Sequence, residues 1–342
     1  MYKEIMRKLT VRQELSETEI QWIVSSIRDG VLSDIQIAGF LAAFLTKGYS
    51  PNEIAHIAKV TRSNCIPLHP QVDEDMMDTC GTGGGLSTFN ISTSSAIVAA
   101  AAGIPVAKHG CRSITSLSGS ADVLESLGVE IQLQPREVEK MIEEIGIAFL
   151  YAPHYHPVIA KVIPAEIELG IKLFNTFIGP LINPTFARRH LLGVCDEEMM
   201  DVVTLAAKEL GYNSLMCVHG LDGMDEISLI GKTRISHLIE GEVRTYEIEP
   251  EDFGFTRCTL DEIKSGTPKE NAETIISVFT GKNKGAARDA IILNTAGALI
   301  VGGKAAGFHE GVGLASELLD SGSALAKLME LRDMSQSFRR AA

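Results

Sequence analysis

The chain has 342 residues, enough for two domains, and its composition of 45% hydrophobic and 22% charged residues is ordinary for a soluble protein. Its formal net charge of −13 argues against a nucleic-acid partner, which would require a basic face. No apolar run reaches the roughly 18–20 residues of a membrane span, and the opening residues MYKEIMRKL lack the apolar core of a signal peptide, so we expect a cytoplasmic protein with no membrane partner.

Residues 1–66 are predicted to form a small N-terminal helical domain. Ser16, Ser33 and Ser50 each stand three positions before a Glu or Gln, which is the capping-box signal of a helix start. Apolar residues then recur at helical spacing, so each helix has an apolar face. Because so short a unit cannot bury all of these faces alone, we expect part of 164–190 to complete it.

From residue 72 to residue 342 the pattern changes to short apolar strands that alternate with helices. This alternation predicts an α/β domain whose sheet is covered on both faces. The predicted strands are 76–79, 104–107, 148–150 and 215–218. The predicted helices are 94–102, 120–127, 135–145, 199–209, 287–301 and 311–319.

The segment GTGGGLSTFNIST at 81–93 follows the first predicted strand directly. Its glycines let backbone N–H groups approach a phosphate, and the hydroxyls of Thr82, Ser92 and Thr93 are further donors. The helix that begins near Ser94 directs its positive N-terminus to the same place. Taken alone, the segment is nearly as well explained by a surface turn.

Two further segments strengthen the case for a phosphate site. KHGCRSITSLSGSADVLESLG at 108–128 supplies Lys108 and a second turn-to-helix junction, which together suit a ligand with two phosphate groups. HGLDGMDEIS at 219–228 follows another predicted strand, and its adjacent Asp225 and Glu226 offer the oxygen ligands that Mg²⁺ takes. Each is compatible with ordinary surface charge, but together they predict a site for magnesium and phosphate.

In their order and spacing, these segments resemble those of the anthranilate phosphoribosyltransferase family. The resemblance covers GTGG…TFNIST, KHG-x-RS…SGSADVLESLG, LFN…GPLINP and HGLDG-M-DEIS, and it continues through ILNTAGALIVGGKA. It implies a two-domain, nucleoside phosphorylase/phosphoribosyltransferase-like architecture and a homodimer. It also implies Mg²⁺-dependent transfer of a phosphoribosyl group from 5-phosphoribosyl diphosphate (PRPP) to the amine of anthranilate, a step of tryptophan biosynthesis.

The resemblance also implies roles for individual residues. PRPP would be bound by Gly81, Thr82, Gly84, Asn90, Ser92, Thr93, Lys108 and Ser120. Mg²⁺ would be served by Asp225, Glu226 and Ser92, and the acceptor would lie near His109, Cys111, His156, Glu166 and Pro180. No residue is assigned as nucleophile or base, because departure from an oxocarbenium-like ribose requires positioning and charge neutralisation instead.

Three positions depart from the family pattern. Gly85 stands in a loop that is one residue shorter and lacks an aspartate, Cys111 replaces an asparagine, and Glu166 replaces an arginine that pairs with the anthranilate carboxylate. Loss of that pair, worth about 1.5–3 kcal/mol, together with like-charge repulsion, predicts a roughly 100-fold weaker acceptor affinity. Lys172 and Arg188 are the candidate substitute cations.

The departures leave the acceptor open. One alternative is transfer to anthranilate, and the other is a paralogous enzyme that uses PRPP with a different, non-carboxylate nitrogen acceptor, such as a small aromatic or heterocyclic amine. A non-catalytic relative that binds nucleic acid is disfavoured by the acidic charge and by the retained Asp225–Glu226 pair. Nucleoside phosphorolysis, which shares the fold, fits that pair less well.

Overall fold

The computed structural model describes residues 1–113, 117–171 and 173–341. Its N-terminal helices are α1 (Tyr2–Thr10), α2 (Glu17–Arg28), α3 (Asp34–Lys47) and α4 (Pro51–Ser63). The predicted caps are confirmed, because the side chains of Ser16, Ser33 and Ser50 each accept a hydrogen bond from the backbone N–H three residues on. The reciprocal bond to the Glu or Gln completes each capping box.

The described part of the α/β region is built on a seven-stranded mixed sheet. Its strands are β1 (Met77–Asp78), β2 (Val106–Gly110), β3 (Ile147–Tyr151), β4 (Arg189–Gly193), β5 (Ser214–Gly220), β6 (Thr233–Ile239) and β7 (Glu242–Ile248). The order is β3-β2-β1-β4-β5-β6-β7, parallel from β3 to β5 and antiparallel from β5 to β7. The chain adds strands first on one side of β1 and then on the other, so the crevice between β1 and β4 is where such sheets bind ligands.

Helices cover both faces of this sheet, as predicted. They are α5 (Ile91–Ala101), α6 (Ser120–Ser126), α7 (Pro135–Ile145), α8 (Ala152–Tyr155), α9 (Pro157–Leu169), α10 (Met199–Glu209), α11 (Leu260–Ile263), α12 (Pro268–Phe279), α13 (Ala286–Val301), α14 (Phe308–Asp320) and α15 (Ser323–Ala341). A π-helical turn, Phe174–Ile178, and a 3-10 turn, Gly179–Leu181, follow α9. In the described ranges, every helix falls short of the length and apolar character that a membrane crossing requires.

The sheet separates two buried cores. Successive side chains of β4 alternate between them, so that Leu191 belongs to the first core and Leu192 to the second. The first core contains α5 and α13, whereas the second joins the sheet to α10 and to the N-terminal helices. Ala165, Phe174 and Ile178 also lie in this second core. That placement supports the predicted role of 164–190, while the domain limits 1–66 and 72–342 stay a prediction.

The sequence prediction misses β4, β6 and β7. Strand β4 follows an irregular stretch and begins with Arg189 and His190, so it shows only two consecutive apolar residues. Strands β6 and β7 form a hairpin around Glu240 and Gly241, whose φ angles are 50° and 82°. Alternating residues on both sides of a two-residue turn that ends in glycine are a hairpin signal, and this signal could have revealed both strands.

Candidate functional site

A cavity of about 630 Å³ opens at the carboxyl ends of β1 and β4. Its walls include parts of the three segments that the sequence singled out, which we call the glycine loop (81–93), the basic segment (108–128) and the acidic loop (219–228). Residues that are far apart in sequence therefore meet at the place where this sheet topology predicts a ligand.

Backbone hydrogen bonds fix the glycine loop between β4 and the acidic loop. The Thr82 N–H donates to the Gly193 carbonyl at 2.9 Å, and the Leu86 N–H donates to the Gly223 carbonyl at 3.0 Å. Between these contacts Gly84 has a φ of 89°, in the left-handed region that favours glycine. The loop is thus attached at two points, with a turn between them that a side chain would strain.

Most of the residues predicted to bind PRPP line this cavity. They are Gly81, Thr82, Gly84, Asn90, Ser92, Lys108 and Ser120. Thr93 does not line the cavity, because its position in α5 buries the side chain completely, and its assignment to PRPP stays a prediction. The interval between Ser92 and Thr93 is one residue, or about 100° around a helix, which is enough to turn one hydroxyl away from the cavity.

Asn90 joins the glycine loop to the basic segment. Its Nδ2 donates to the Ser118 carbonyl at 3.3 Å, and its Oδ1 accepts from Ser118 Oγ at 3.1 Å. Asn271, from α12, also donates to Asn90 Oδ1, at 2.9 Å. One amide therefore sets the spacing of the two hydroxyl-rich walls.

Lys108 places a buried cation in the cavity wall. Its Nζ donates to Thr79 Oγ1 at 3.2 Å, and that hydroxyl in turn donates to the Ser92 carbonyl at 3.2 Å. Burial lowers the pKa of the Lys108 ammonium, and the charges of Asp78 and Glu226 act in the opposite direction. A phosphate beside Lys108 would further favour its charged form.

Asp225 and Glu226 supply paired carboxylates to the same cavity. Thr88 Oγ1 lies 3.1 Å from each carboxylate oxygen of Glu226. Burial, together with the neighbouring charge of Asp225, raises the pKa of the Glu226 carboxyl well above its usual range. A divalent cation would relieve both causes, and hard oxygen ligands suit Mg²⁺, so these residues fit that ion.

The acidic loop packs closely against two glycines. A Cβ at Gly193 would overlap the backbone carbonyl of Asp225, and a Cβ at Gly85 would lie 2.7 Å from Asp225 Oδ1. The shorter glycine loop therefore brings its backbone, rather than a side chain, against the paired carboxylates. In this chain the departure at Gly85 is compatible with the way the two loops pack.

The residues predicted for the acceptor lie at two depths. His109, Cys111 and Glu166 line the cavity, whereas His156 and Pro180 do not. The Nε2 atoms of His109 and His156 are 3.1 Å apart, so His156 supports His109 from behind. Pro180 is buried beside Gly179, which does line the cavity. His109, Cys111 and Glu166 can therefore contact a ligand directly, whereas His156 and Pro180 pack behind the wall.

Burial keeps the histidines near the cavity neutral. It lowers the pKa of His109 to about 4, and it lowers the pKa of His156 well below the ordinary value. The pKa of His190, whose Nε2 lies 2.7 Å from the Cys80 carbonyl, is lowered for the same reason. The unfolded chain therefore takes up more protons than the folded chain once the pH falls below about 6.5.

We expect this difference to make stability fall with pH. The contribution of each buried neutral histidine is fully present above about pH 6.5 and is lost as the pH falls, at up to about 1.4 kcal/mol per pH unit for each ring. For His109 the loss continues to about pH 4. Urea unfolding at pH 8, 7, 6 and 5 measures the effect. A free energy of unfolding that is as large at pH 5 as at pH 7 would contradict it.

Glu166 is built into the turn that follows α9. Its side chain is 4% exposed, and Oε1 accepts hydrogen bonds from the N–H groups of Leu173 at 2.9 Å and Phe174 at 2.6 Å. Glu166 lines the cavity together with three isoleucines, Ile163, Ile167 and Ile171. This part of the wall is accordingly apolar, with one carboxylate held in a fixed orientation.

Arg188 does not replace the missing arginine as a partner for the carboxylate of the acceptor. That side chain is exposed, bonds to the Gly211 carbonyl and to Asn213, and does not line the cavity. Lys172, the other candidate, lies outside the described residues. Among the cavity-lining residues in the described ranges, the cations are Lys108 and Arg112, and Arg112 is paired with carboxylates of α6.

Sequence reasoning missed several residues that organise this site. Asp78, Asn183 and Asn271 are buried polar groups whose partners are distant in sequence, and Gly193 matters because of a close backbone approach. The position of Asp78, next to the glycine loop, was a usable signal. The contacts of the others depend on the assembled fold.

Comparison with known proteins agrees with this architecture. Residues 3–65 match the glycosyl transferase family, helical bundle domain, and residues 73–325 match the glycosyl transferase family, a/b domain. The chain is 43% identical over 339 residues to a protein of Acetivibrio thermocellus named anthranilate phosphoribosyltransferase, with 99% of this chain and 98% of that one covered. For the Methanosarcina acetivorans protein of the same name, identity is 42% over 332 residues, with 97% and 89% covered.

Solved structures show the same likeness. Anthranilate phosphoribosyltransferase from Thermus thermophilus superposes with a TM-score of 0.91 at 36% identity, covering 97% of this chain and 99% of that one. The Saccharomyces cerevisiae enzyme in complex with PRPP and Mg superposes with a TM-score of 0.89 at 29% identity, covering 98% of each chain.

Proposed function

We propose, because this chain belongs to the anthranilate phosphoribosyltransferase family, that it transfers the phosphoribosyl group of PRPP to the amine of anthranilate. The products are N-(5-phosphoribosyl)anthranilate and diphosphate, as in tryptophan biosynthesis, and the reaction requires Mg²⁺. One observation carries the proposal: a buried lysine, a hydroxyl-rich glycine loop and a carboxylate pair line a single cavity.

The donor half of the cavity suits a ligand with two phosphate groups. The residues assigned to the phosphates all line it, and they are Gly81, Thr82, Gly84, Asn90, Ser92, Lys108 and Ser120. Asp225 and Glu226 would hold Mg²⁺, with Ser92 nearby, and the ion supplies charge that neutralises the leaving diphosphate. The preset hydroxyls and the ammonium of Lys108 act on the same developing charge and need no rearrangement as it appears.

The acceptor half positions an amine rather than activating it. His109 is neutral, rests on His156 and adds no charge to the cavity. Ile163, Ile167 and Ile171, on and just after α9, offer an apolar surface for an aromatic ring. Holding the amine beside the ribose turns a two-molecule encounter into a step within one complex, which explains why a nucleophile and base are not required.

Steady-state kinetics test the proposal. With PRPP, Mg²⁺ and anthranilate present, we expect diphosphate release and loss of anthranilate fluorescence at equal rates, and neither when any one component is omitted. Binding of Mg²⁺ and PRPP without turnover of anthranilate would contradict the proposed acceptor. Failure to bind PRPP would contradict the whole proposal.

A second candidate is transfer to a nitrogen acceptor that lacks a carboxylate. It is favoured by Glu166, which places a fixed carboxylate in the apolar wall where the family resemblance implies an arginine. A neutral or cationic heterocyclic amine would meet no like charge there. Turnover of such amines in preference to anthranilate would support this candidate.

Glu166→Gln tests whether this carboxylate opposes the carboxylate of anthranilate. The amide oxygen can still accept from Leu173 and Phe174, so the turn is kept while the charge is removed. If the enzyme acts on anthranilate, we expect its KM to fall roughly 10-fold as the repulsion is lost. Glu168→Gln, on the same helix but outside the cavity, is the matched control. An unchanged KM in Glu166→Gln would show that this carboxylate does not face the acceptor.

The finer organisation belongs to the same proposal. We place residues 1–66, with part of 164–190, in a helical domain beside an α/β domain of residues 72–342, and we place the protein in the cytoplasm. Val31, in the connection between α2 and α3, and Ile35, on α3, are 66% and 85% exposed, and they support a homodimer through this surface of the N-terminal region. Sedimentation equilibrium of the wild type and of Ile35→Glu tests the dimer.

A further inference from the structure

Asp78 occupies a position that no ligand can reach. It is the last residue of β1, its side chain is 1% exposed, and it does not line the cavity. A buried carboxylate requires full hydrogen bonding, and the partners of this one identify what it holds in place.

One oxygen of Asp78 fixes the beginning of the donor wall and the end of the acceptor wall. Oδ1 accepts from the N–H groups of Thr79 at 2.7 Å and Cys80 at 3.1 Å, where the chain enters the glycine loop. The same atom accepts from the His109 N–H at 3.1 Å, on β2. The backbones of both walls are thus held by hydrogen bonds to the same oxygen atom.

The other oxygen brings in a third segment. Oδ2 accepts from Asn183 Nδ2 at 2.8 Å, and that nitrogen also donates to the Ala107 carbonyl at 2.8 Å. Asn183 Oδ1 is occupied as well, because it accepts from the N–H and the hydroxyl of Thr185 at 3.0 and 2.7 Å. The orientation of Asn183 is therefore determined on both sides, and the amide cannot be turned over without loss.

From these contacts we propose that Asp78 is a positioning residue that sets the distance between the donor-binding glycine loop and the acceptor-side His109. Reaction between two bound substrates depends on that distance, and a displacement of about 1 Å can lower the rate roughly 100-fold. The inference uses the proposed phosphoribosyl transfer for its kinetic test only.

Asp78→Asn is the informative substitution. Its amide oxygen can still accept from the three backbone N–H groups, but its amide nitrogen would face Asn183 Nδ2, so a donor would meet a donor. We expect kcat/KM to fall roughly 10- to 100-fold, with KM raised for both PRPP and the acceptor. In Asp78→Asn combined with Asn183→Asp, the donor and the acceptor between the two side chains are exchanged and the net charge is restored, but the Ala107 carbonyl loses its donor, so only part of this loss should be recovered.

Hydrogen exchange gives a readout that needs no turnover. In Asp78→Asn we expect faster exchange in both 79–86 and 108–111, with the rest of the sheet unchanged. Glu53→Gln is the matched control, since Glu53 is a buried, hydrogen-bonded carboxylate in the N-terminal helices and does not line the cavity. It should lower Tm without changing KM or exchange in these segments.

The outcomes separate this inference from the proposed function. Wild-type chain that fails to use anthranilate would contradict the proposed acceptor, and Asp78 would then be judged by exchange and by calorimetric binding of Mg²⁺ and PRPP. Asp78→Asn with wild-type kinetics and wild-type exchange would overturn the inference. The inference would also be overturned if the activity of Asp78→Asn fell only as far as its lowered stability explains, and if the double variant Asp78→Asn with Asn183→Asp recovered none of it.

Discussion

Gly193→Ala should lower kcat/KM for PRPP by roughly 100-fold or more while the chain still folds. The added Cβ would overlap the Asp225 carbonyl, which is backbone and cannot rotate away, so the acidic loop must move. The Gly193 carbonyl also accepts from the Thr82 N–H, so the same shift disturbs the glycine loop. Both halves of the donor site change together, and initial-rate kinetics at varied PRPP measure the result.

Gly313→Ala is the control for this substitution. Gly313 lies in α14, and a Cβ there would meet no neighbouring atom within 4 Å, so alanine should be neutral or slightly stabilising. Circular dichroism and Tm of both variants separate misfolding from local displacement. Normal PRPP kinetics in Gly193→Ala would show that the acidic loop is not tied to the donor site.

Glu226→Gln should reduce turnover by roughly 100- to 1,000-fold and raise the Mg²⁺ concentration required for half-maximal activity. Glutamine keeps the shape and can still accept from Thr88, but it removes the charge proposed to hold the metal. Burial and the charge of Asp225 raise the pKa of the Glu226 carboxyl, and its protonated form binds metal poorly. Glutamine resembles this protonated form at every pH. Mg²⁺ titrations of activity and calorimetry measure the change.

Asp222→Asn provides the comparison within the same loop. Asp222 accepts from the Met224 N–H and from Ser228 Oγ and does not line the cavity. We expect a lower Tm with an unchanged Mg²⁺ dependence. If Glu226→Gln and Asp222→Asn lowered activity to the same extent without altering the Mg²⁺ requirement, the metal assignment would be withdrawn.

The parts of the fold that the sequence predicts are those governed by local rules. A serine cap and an apolar stripe need only a few neighbouring residues, so the N-terminal helices are predicted correctly. Fully buried strands in the interior of the sheet, such as β5, are also visible as apolar runs. The prediction of β5 nevertheless ends at 218, two residues before the observed end at Gly220.

The cavity was predicted in its composition but not in its assembly. The glycine loop and the Asp225–Glu226 pair are recognisable because the residues that form each motif are adjacent in the sequence. The closeness of Gly193 to Asp225, and of Asp78 to Asn183, results from strand order and from loops that meet across the sheet. Thr93 belongs to a fitting motif as well, yet the helix that carries it buries its side chain completely.

The isoleucines of the acceptor wall and the glycine loop belong to different packing units. The isoleucines of the acceptor wall are carried by and next to α9, a helix buried in the core shared with the N-terminal helices, while the glycine loop follows β1 of the sheet. A ligand that touches both walls is therefore a cross-link between these units, and its binding free energy adds to their cohesion. At a free concentration of 100 times Kd this addition is about 2.7 kcal/mol, so the substrates themselves protect the chain against unfolding and proteolysis.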